Sequence, residues 1–244
     1  EVIGGENVDV YYLDVGQADS ILVQSNGMNM LIDAGTNDMG KTVVRDLQAL
    51  GIKKIDVLIG THPHEDHIGG LDDVIKNFDI GTIYMPKVQT NTKTFEDVLD
   101  AINEKGLKIT SPEVGYKFNV GNAVCEVMNC GTGTSEEKSN LNLSSIVIRM
   151  TYGEQSFLFM GDAEKENEET RSWPQTNVLK VGHHGSNTSS SQSFLDQVKP
   201  QIAVISVGKG NKYGHPKQVI LDRLNKMEIK IYRTDESGTI KITC

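Results

Sequence analysis

Cysteine is scarce in this 244-residue chain, which has only Cys125, Cys130 and Cys244. Three cannot all pair, two are too few for a disulfide-built scaffold, and no CxxC spacing is present. Cys125 and Cys130 could close one bridge, which leaves the redox compartment open. No apolar run approaches the ~18–20 residues of a membrane-spanning helix. The chain opens on Glu1 with no charged-then-apolar leader, so it reads as a mature form or an excised fragment. P-loop, GxSxG and HExxH patterns are missing, so the chemistries they mark have no support. No Pro-, Ser- or Gly-rich linker divides the sequence. The nearest candidate, residues 131–140 (GTGTSEEKSN), reads as a surface loop, and one domain over residues 1–244 is expected.

Hydrophobic residues make up 37% and charged residues 23%, a balance that argues against wholesale disorder. The net charge of −9 argues against tight nonspecific binding to nucleic acid. The charge is uneven, however. Residues 170–221 hold Arg171, Lys180, Lys199, Lys209, Lys212 and Lys217 against one acid, Asp196, a local +5 that could draw phosphate or simply solvate surface helices.

Short β-branched runs alternate with helical stretches. Strands are expected over 8–13, 20–24, 28–32, 55–59, 82–85, 123–128, 144–150, 156–160, 178–181, 202–207, 228–232 and 238–242. Helices are expected over 41–50, 69–77, 94–104, 163–171, 191–198 and 216–226. This is a layered α/β pattern. It also repeats weakly: Val57-Leu58 leads to His62 as Val178-Leu179 leads to His183, an offset of 121 that persists from Thr82-Ile83 to Ala203-Val204. Short strands align easily by chance; the sharper reading is two similar halves that place Asp33 with Asp162, and His62 with His183, at matching strand ends. Carboxyl ends of strands are where α/β sheets gather ligands.

All six histidines fall in three short stretches. Thr61-His62-Pro63-His64-Glu65-Asp66-His67 follows a strand. His62 and His64, two apart on an extended segment, can hold one ion together. Asp66 and His67 lie where a helix begins and can face a second ion. Asp162, at the end of the buried run Phe157-Leu158-Phe159-Met160, faces the same edge; alone it would serve equally well as a helix cap. Asp33 is read as supporting a ligand or shaping a turn. In His183-His184-Gly185-Ser186, neighbouring rings on an extended chain point to opposite sides, so one is the ligand. The repeat favours His183 and leaves His184 for proton transfer or phosphate contact. His215, before a helix, is the weakest candidate.

THPHEDH resembles the HxHxDH signature of the metallo-β-lactamase fold, a four-layer αββα sandwich with a metal site at one edge. Tyr12-Leu13-Asp14-Val15-Gly16-Gln17-Ala18-Asp19-Ser20, Leu31-Ile32-Asp33-Ala34-Gly35, Met160-Gly161-Asp162, the HHGS segment and Gly214-His215-Pro216 resemble the ComEC branch, the extracellular hydrolase-like domain of competence proteins. The resemblance implies two divalent ions, Zn²⁺ first and Mn²⁺ as the alternative. His62 and His64 match the ligands of the first, Asp66 and His67 those of the second, and Asp162 the bridging carboxylate, with His183 added by the repeat. The wider fold adds a histidine between these segments and another after the late strand. Here no histidine lies between His67 and His183, Asn142 stands where ComEC-like chains tend to carry Asn, and the late strand reads Ile205-Ser206-Val207. The first ion is therefore one ligand short, which predicts weak, exchangeable or single-ion occupancy.

The expected function is a metal-dependent hydrolase of phosphodiesters, with DNA the leading substrate and an extracellular or cell-surface placement implied by the resemblance, in a piece of a membrane protein or a free-standing enzyme. Asp66 would orient the nucleophile, and His184 or His215 would protonate the leaving oxygen. Asn142, Lys180, Ser186 and Lys212 are expected to meet the substrate. Two alternatives are a small-ester hydrolase, such as a phosphorylcholine esterase, and a metal-poor domain that guides DNA without cutting it.

Overall fold

Side chains on an extended chain alternate between two faces, and the apolar runs of this sequence use both. The computed structural model describes residues 7–244, so the first six residues of the expected domain lie outside the described residues. The first half runs β1 (Val8–Tyr12), β2 (Ile21–Ser25), β3 (Met28–Ile32), α1 (Gly40–Ala49), β4 (Lys54–Ile59), α2 (Glu65–Ile68), α3 (Leu71–Asn77), β5 (Asp79–Tyr84), α4 (Lys93–Glu104) and β6 (Ile109–Thr110). The second runs β7 (Lys117–Val120), β8 (Ala123–Asn129), α5 (Ser135–Ser139), β9 (Val147–Tyr152), β10 (Gln155–Phe159), α6 (Lys165–Glu169), β11 (Val178–Lys180), α7 (Gln192–Val198), β12 (Ile202–Ile205), α8 (Gln218–Lys226), β13 (Lys230–Arg233), α9 (Thr234–Ser237) and β14 (Ile240–Thr243).

Two seven-stranded mixed sheets result, in the orders β14-β1-β2-β3-β4-β5-β6 and β13-β12-β11-β10-β9-β8-β7. Their facing sides share one apolar layer that includes Val10, Met30, Val57, Phe157, Phe159 and Val178. The intervening residues Leu22, Leu31 and Leu58 turn outward against α1, α3 and α4, and Leu158 and Leu179 turn outward against α7 and α8. Each such buried side chain contributes roughly 1.5–3 kcal/mol. The outcome is the expected α/β sandwich, helix on sheet on sheet on helix. No helix among the described residues is long and apolar enough to cross a membrane.

The two halves share a pattern, an antiparallel pair leading into parallel strands, but not a constant offset. Val57 lies opposite Thr82, whereas Val178 lies opposite Ile202. The offset of 121 at the first strand is thus 120 at the next, one residue short of the sequence alignment. Short loop-terminated strands slide in a sequence comparison because nothing but hydrogen-bond register fixes them. Segment 131–140 is not all loop: it carries α5, opened by Thr134 and Glu137 in a reciprocal capping box. The strand expected from Ser144 begins at Val147, after a 3-10 turn over Leu141–Ser144. The short strands β6 and β7 and the one-turn α9 escaped the sequence pattern.

The parallel strands β3, β4, β10, β11 and β12 end at one edge of the sandwich. Two backbone bonds fix that edge: across the halves, Ile146 N–H donates to the Thr61 carbonyl at 2.8 Å, and within the second half, His183 N–H donates to the Gly161 carbonyl at 3.0 Å.

Candidate metal centre

The loop after β4 brings His62, His64, Asp66 and His67 to this edge, and the loop after β10 brings Asp162 to meet them. Donor atoms of His62, His64 and Asp162 lie within 4.8 Å of one another, and so do those of Asp66, His67, Asp162 and His184. Asp162 belongs to both groups, one oxygen toward each. Its Oδ2 lies 3.8 Å from His62 Nε2, and its Oδ1 lies 3.1 Å from His67 Nε2. His62 Nε2 lies 3.0 Å from His64 Nδ1, and His184 Nε2 lies 3.1 Å from Asp66 Oδ2.

The far sides of the His67 and His184 rings are anchored. His67 Nδ1 donates to Asp33 Oδ2 at 2.7 Å, and Thr61 donates to the same carboxylate through its N–H at 2.8 Å and its Oγ1 at 2.7 Å. His184 Nδ1 faces the Ser206 carbonyl at 3.0 Å. A carbonyl only accepts, so Nδ1 carries the hydrogen and Nε2 is left for the cluster. Asp33 therefore holds the His67 ring and the Thr61 backbone in place. The fit to divalent cations rests on two buried atoms that find no hydrogen-bond partner, His67 Nε2 and Asp162 Oδ1. They lie 3.1 Å apart, and a cation between them would satisfy both.

Electrostatics agree. Burial opposes charge on His67, yet the carboxylates of Asp162, Asp66 and Asp33 outweigh it and hold the ring well above the usual imidazole range. Against the same penalty, Asp162 and the other carboxylates raise His184 to about 10. Burial also disfavours the Asp162 anion, but His67 and His184 keep it well below the ordinary carboxyl range. His62 is the opposite case, since burial and then the neighbouring His67 charge push it far down. A field that retains protons on two buried rings favours a divalent cation in their place.

The structure reverses the assignment within the histidine pair. His183 and His184 are not extended: both take left-handed backbone angles, φ 48° and 53°, in a 3-10 turn. That turn buries His184 in the cluster and swings His183 aside. His183 Nδ1 lies 3.0 Å from Thr188 Oγ1 and 3.1 Å from Glu164 Oε1, while its Nε2 lies 3.7 Å from Asp162 Oδ2.

Lys180 is likewise not where the substrate would need it. Strand alternation puts it on the same face as Val178, between the sheets, where it is fully buried. Its Nζ donates to Asp19 Oδ2 at 2.7 Å and to the Val181 carbonyl at 3.0 Å. Ser186 is buried, its Oγ accepting from the Thr188 N–H at 3.3 Å. Lys212 is exposed, with Nζ 5.1 Å from the Tyr213 ring centroid. A cavity of about 280 Å³ opens over the cluster, lined by His64, Asp66, Asn142, Asp162, His183, His184 and His215 and by no lysine. Asn142 gives an Nδ2 hydrogen to Glu164 at 3.0 Å, which leaves its buried Oδ1 without a partner. An acceptor there suits a cation or a water, not a phosphate oxygen.

Sequence reasoning missed Asp19 and Glu164. Asp19 Oδ1 lies 3.3 Å from His184 Nδ1. Burial opposes the Asp19 anion, yet the Lys180 charge and His184 hold it near 2. Glu164 accepts from Asn140 Nδ2 at 2.7 Å and Thr188 Oγ1 at 2.9 Å as well as from Asn142. Burial opposes its charge too, but these donors and His183 bring it to about 2. The available signal was position: Asp19 lies in the segment before Ser20, and Glu164 lies two residues beyond Asp162.

The chain is similar to known proteins. ComE operon protein 3 of Bacillus subtilis (strain 168) is 34% identical over 255 residues, which cover 96% of this chain and 32% of that protein. Competence protein ComA of Neisseria gonorrhoeae is 30% identical over 249 residues, covering 99% of this chain and 33% of that protein. The chain thus spans about a third of the length of these curated relatives. Among solved structures, the metallo-beta-lactamase fold protein YhfI of Bacillus subtilis superposes with a TM-score of 0.62 at 12% identity, covering 98% of this chain and 100% of that one. The model of the metallo-beta-lactamase superfamily matches residues 13–209, which hold every donor of both clusters. On that match and this fold, the chain belongs to the metallo-beta-lactamase superfamily of metal-dependent hydrolases.

Proposed function

We propose that this chain hydrolyses phosphodiester bonds, with DNA as its substrate, as the cell-exterior hydrolase domain of a longer competence-type membrane protein. The observation that carries the reading is the convergence of His62, His64, Asp66, His67, Asp162 and His184 on one cavity. The similarity to competence proteins supports DNA as the substrate class. Two divalent cations held there, Zn²⁺ first and Mn²⁺ as the alternative, would supply a nucleophile at neutral pH and neutralise phosphoryl charge.

The chain's own residues do the rest. Burial opposes the Asp66 anion, but the His67 charge and the His184 hydrogen bond keep it ionised far below the usual range. Its half-exposed carboxylate therefore stays an acceptor that orients the attacking water. His215 is neutral at physiological pH, since burial and then the charges of His183, His184 and Lys217 lower it to about 4. A neutral imidazole can donate a hydrogen bond to the departing oxygen without itself giving up a proton. Asn142, whose Oδ1 has no partner, lines the same cavity.

A second reading, hydrolysis of small phosphoesters, draws on the cavity of about 280 Å³ and its lysine-free lining. The test is turnover by the Zn²⁺- or Mn²⁺-loaded chain on single-stranded DNA, double-stranded DNA and a small phosphodiester. Asp66→Asn is expected to lower turnover by about 10²–10⁴ while leaving the chain folded, as circular dichroism would show. A variant with near-wild-type turnover on a verified substrate would refute the assignment of Asp66. Turnover of the small ester alone would favour the second reading.

A further inference from the structure

Gln17 lies outside both donor clusters, yet it lines the same cavity. Its side-chain amide is held at both ends. The Gly208 N–H donates to Oε1 at 2.9 Å. A backbone N–H can only donate, so the atom receiving it is the oxygen, and the amide cannot be turned over. Nε2 then faces the other way, 3.3 Å from His215 Nδ1. An amide nitrogen has hydrogens to give and no lone pair to offer. Nδ1 must therefore accept, and the neutral ring carries its hydrogen on Nε2.

The ring is fixed in place as well. The His215 N–H donates to Asn211 Oδ1 at 3.0 Å, and Asn211 Nδ2 donates back to the His215 carbonyl at 2.7 Å. Tyr213 stacks on the ring, with centroids 5.6 Å apart and planes 24° apart. The loop is pinned to the histidine turn through the Lys217 N–H, which donates to the Gly185 carbonyl at 2.9 Å.

We infer that Gln17 is a positioning residue that sets the tautomer of His215, so that the ring presents an Nε2–H to an anionic substrate oxygen in the cavity. The identity of that oxygen rests on the phosphodiester reading above; the tautomer does not. If Nδ1 carried the hydrogen instead, two donors would face each other across 3.3 Å.

The experiment is a two-bond ¹H–¹⁵N correlation spectrum of the whole ¹⁵N-labelled chain, with His215 assigned by His215→Gln. The wild type is expected to show a bare Nδ1 and a protonated Nε2. Free imidazole itself leans that way, so the decisive sample is Gln17→Glu. Its carboxylate can accept from both Gly208 and His215, which moves the hydrogen to Nδ1. Gln17→Ala, which puts no new charge in the loop, is expected to give an averaged signal with a raised Nδ1–H share. A bare Nε2 in the wild type, or an unchanged tautomer in both variants, would overturn the inference. On a verified substrate, Gln17→Glu and His215→Gln should each lower kcat, the former roughly 10–100-fold, and their combination should cost no more than His215→Gln alone. Additive losses would show that Gln17 does not act through His215. Because the spectrum needs no substrate, failure to find hydrolysis leaves the tautomer result intact, and a failed tautomer result leaves the hydrolase reading intact.

Discussion

Replacing Lys180 with Met removes one partner of an ion pair sealed between the two sheets. Lys180 is fully buried, Asp19 is 1% exposed, and their closest atoms are 2.7 Å apart. Met matches the length of the lysine stem, so the main loss is electrostatic rather than a cavity. Asp19 is left as an uncompensated buried anion beside His184, and breaking such a pair costs about 3–5 kcal/mol. At ~2–4 °C per kcal/mol for a chain of this size, the melting temperature should fall by roughly 6–20 °C. Asp19→Asn on the Lys180→Met background discharges the stranded carboxylate and should recover roughly half of that loss. The pH dependence has a definite sign. Asp19 is held near 2, below its ordinary value of 3.8, so its stabilisation is present above the ordinary value and is lost as pH falls toward 2. In Lys180→Met burial lifts the Asp19 carboxyl above its ordinary value, so the gap to wild type should start to close above 3.8 and narrow further as pH falls toward 2. Calorimetry and urea unfolding between pH 7 and pH 2 measure it. A Lys180→Met melting temperature within ~2 °C of wild type at pH 7 would refute the reasoning. So would a change in the salt dependence of DNA binding, since a side chain sealed between sheets has no phosphate to release.

Other consequences are equally direct. His184→Ala should weaken divalent-metal affinity by more than about 100-fold in calorimetric titration, and His183→Ala by less than about tenfold, because only His184 offers Nε2 to the buried cluster; the reverse order would return the ligand role to His183. Gly185 has φ +78°, and a Cβ there would lie 2.6 Å from Pro216 Cβ. Gly185→Ala should cost about 1–3 kcal/mol and lower turnover by displacing the His215 loop; unchanged unfolding in urea would contradict this packing. Removing the exposed Lys209 and Lys212 should lower the salt slope of DNA binding by about 0.7–0.9 per lysine that meets a phosphate. An unchanged slope would favour small phosphoesters.

Local pattern alone determined much of this protein. Alternating and continuous apolar runs gave nearly every long strand, because the period of side-chain burial is a property of the backbone itself. His62, His64, Asp66 and His67, at the end of such a strand, pointed to a candidate metal centre before any contact was known. Strand parity even held the burial of Lys180 in principle, since it shares a face with Val178, but parity cannot say what waits on the other side. Only the tertiary structure decided which groups meet. Asp19 reaches Lys180 across 161 residues, and Gln17 reaches His215 across 198. The choice between His183 and His184 turned on two left-handed residues, a conformation that non-glycine chains rarely adopt and that neighbouring residue types do not announce. Partners so far apart are set by how two sheets stack and slide into register. That is a property of the packed whole, whereas the elements being packed are written in short stretches of the chain.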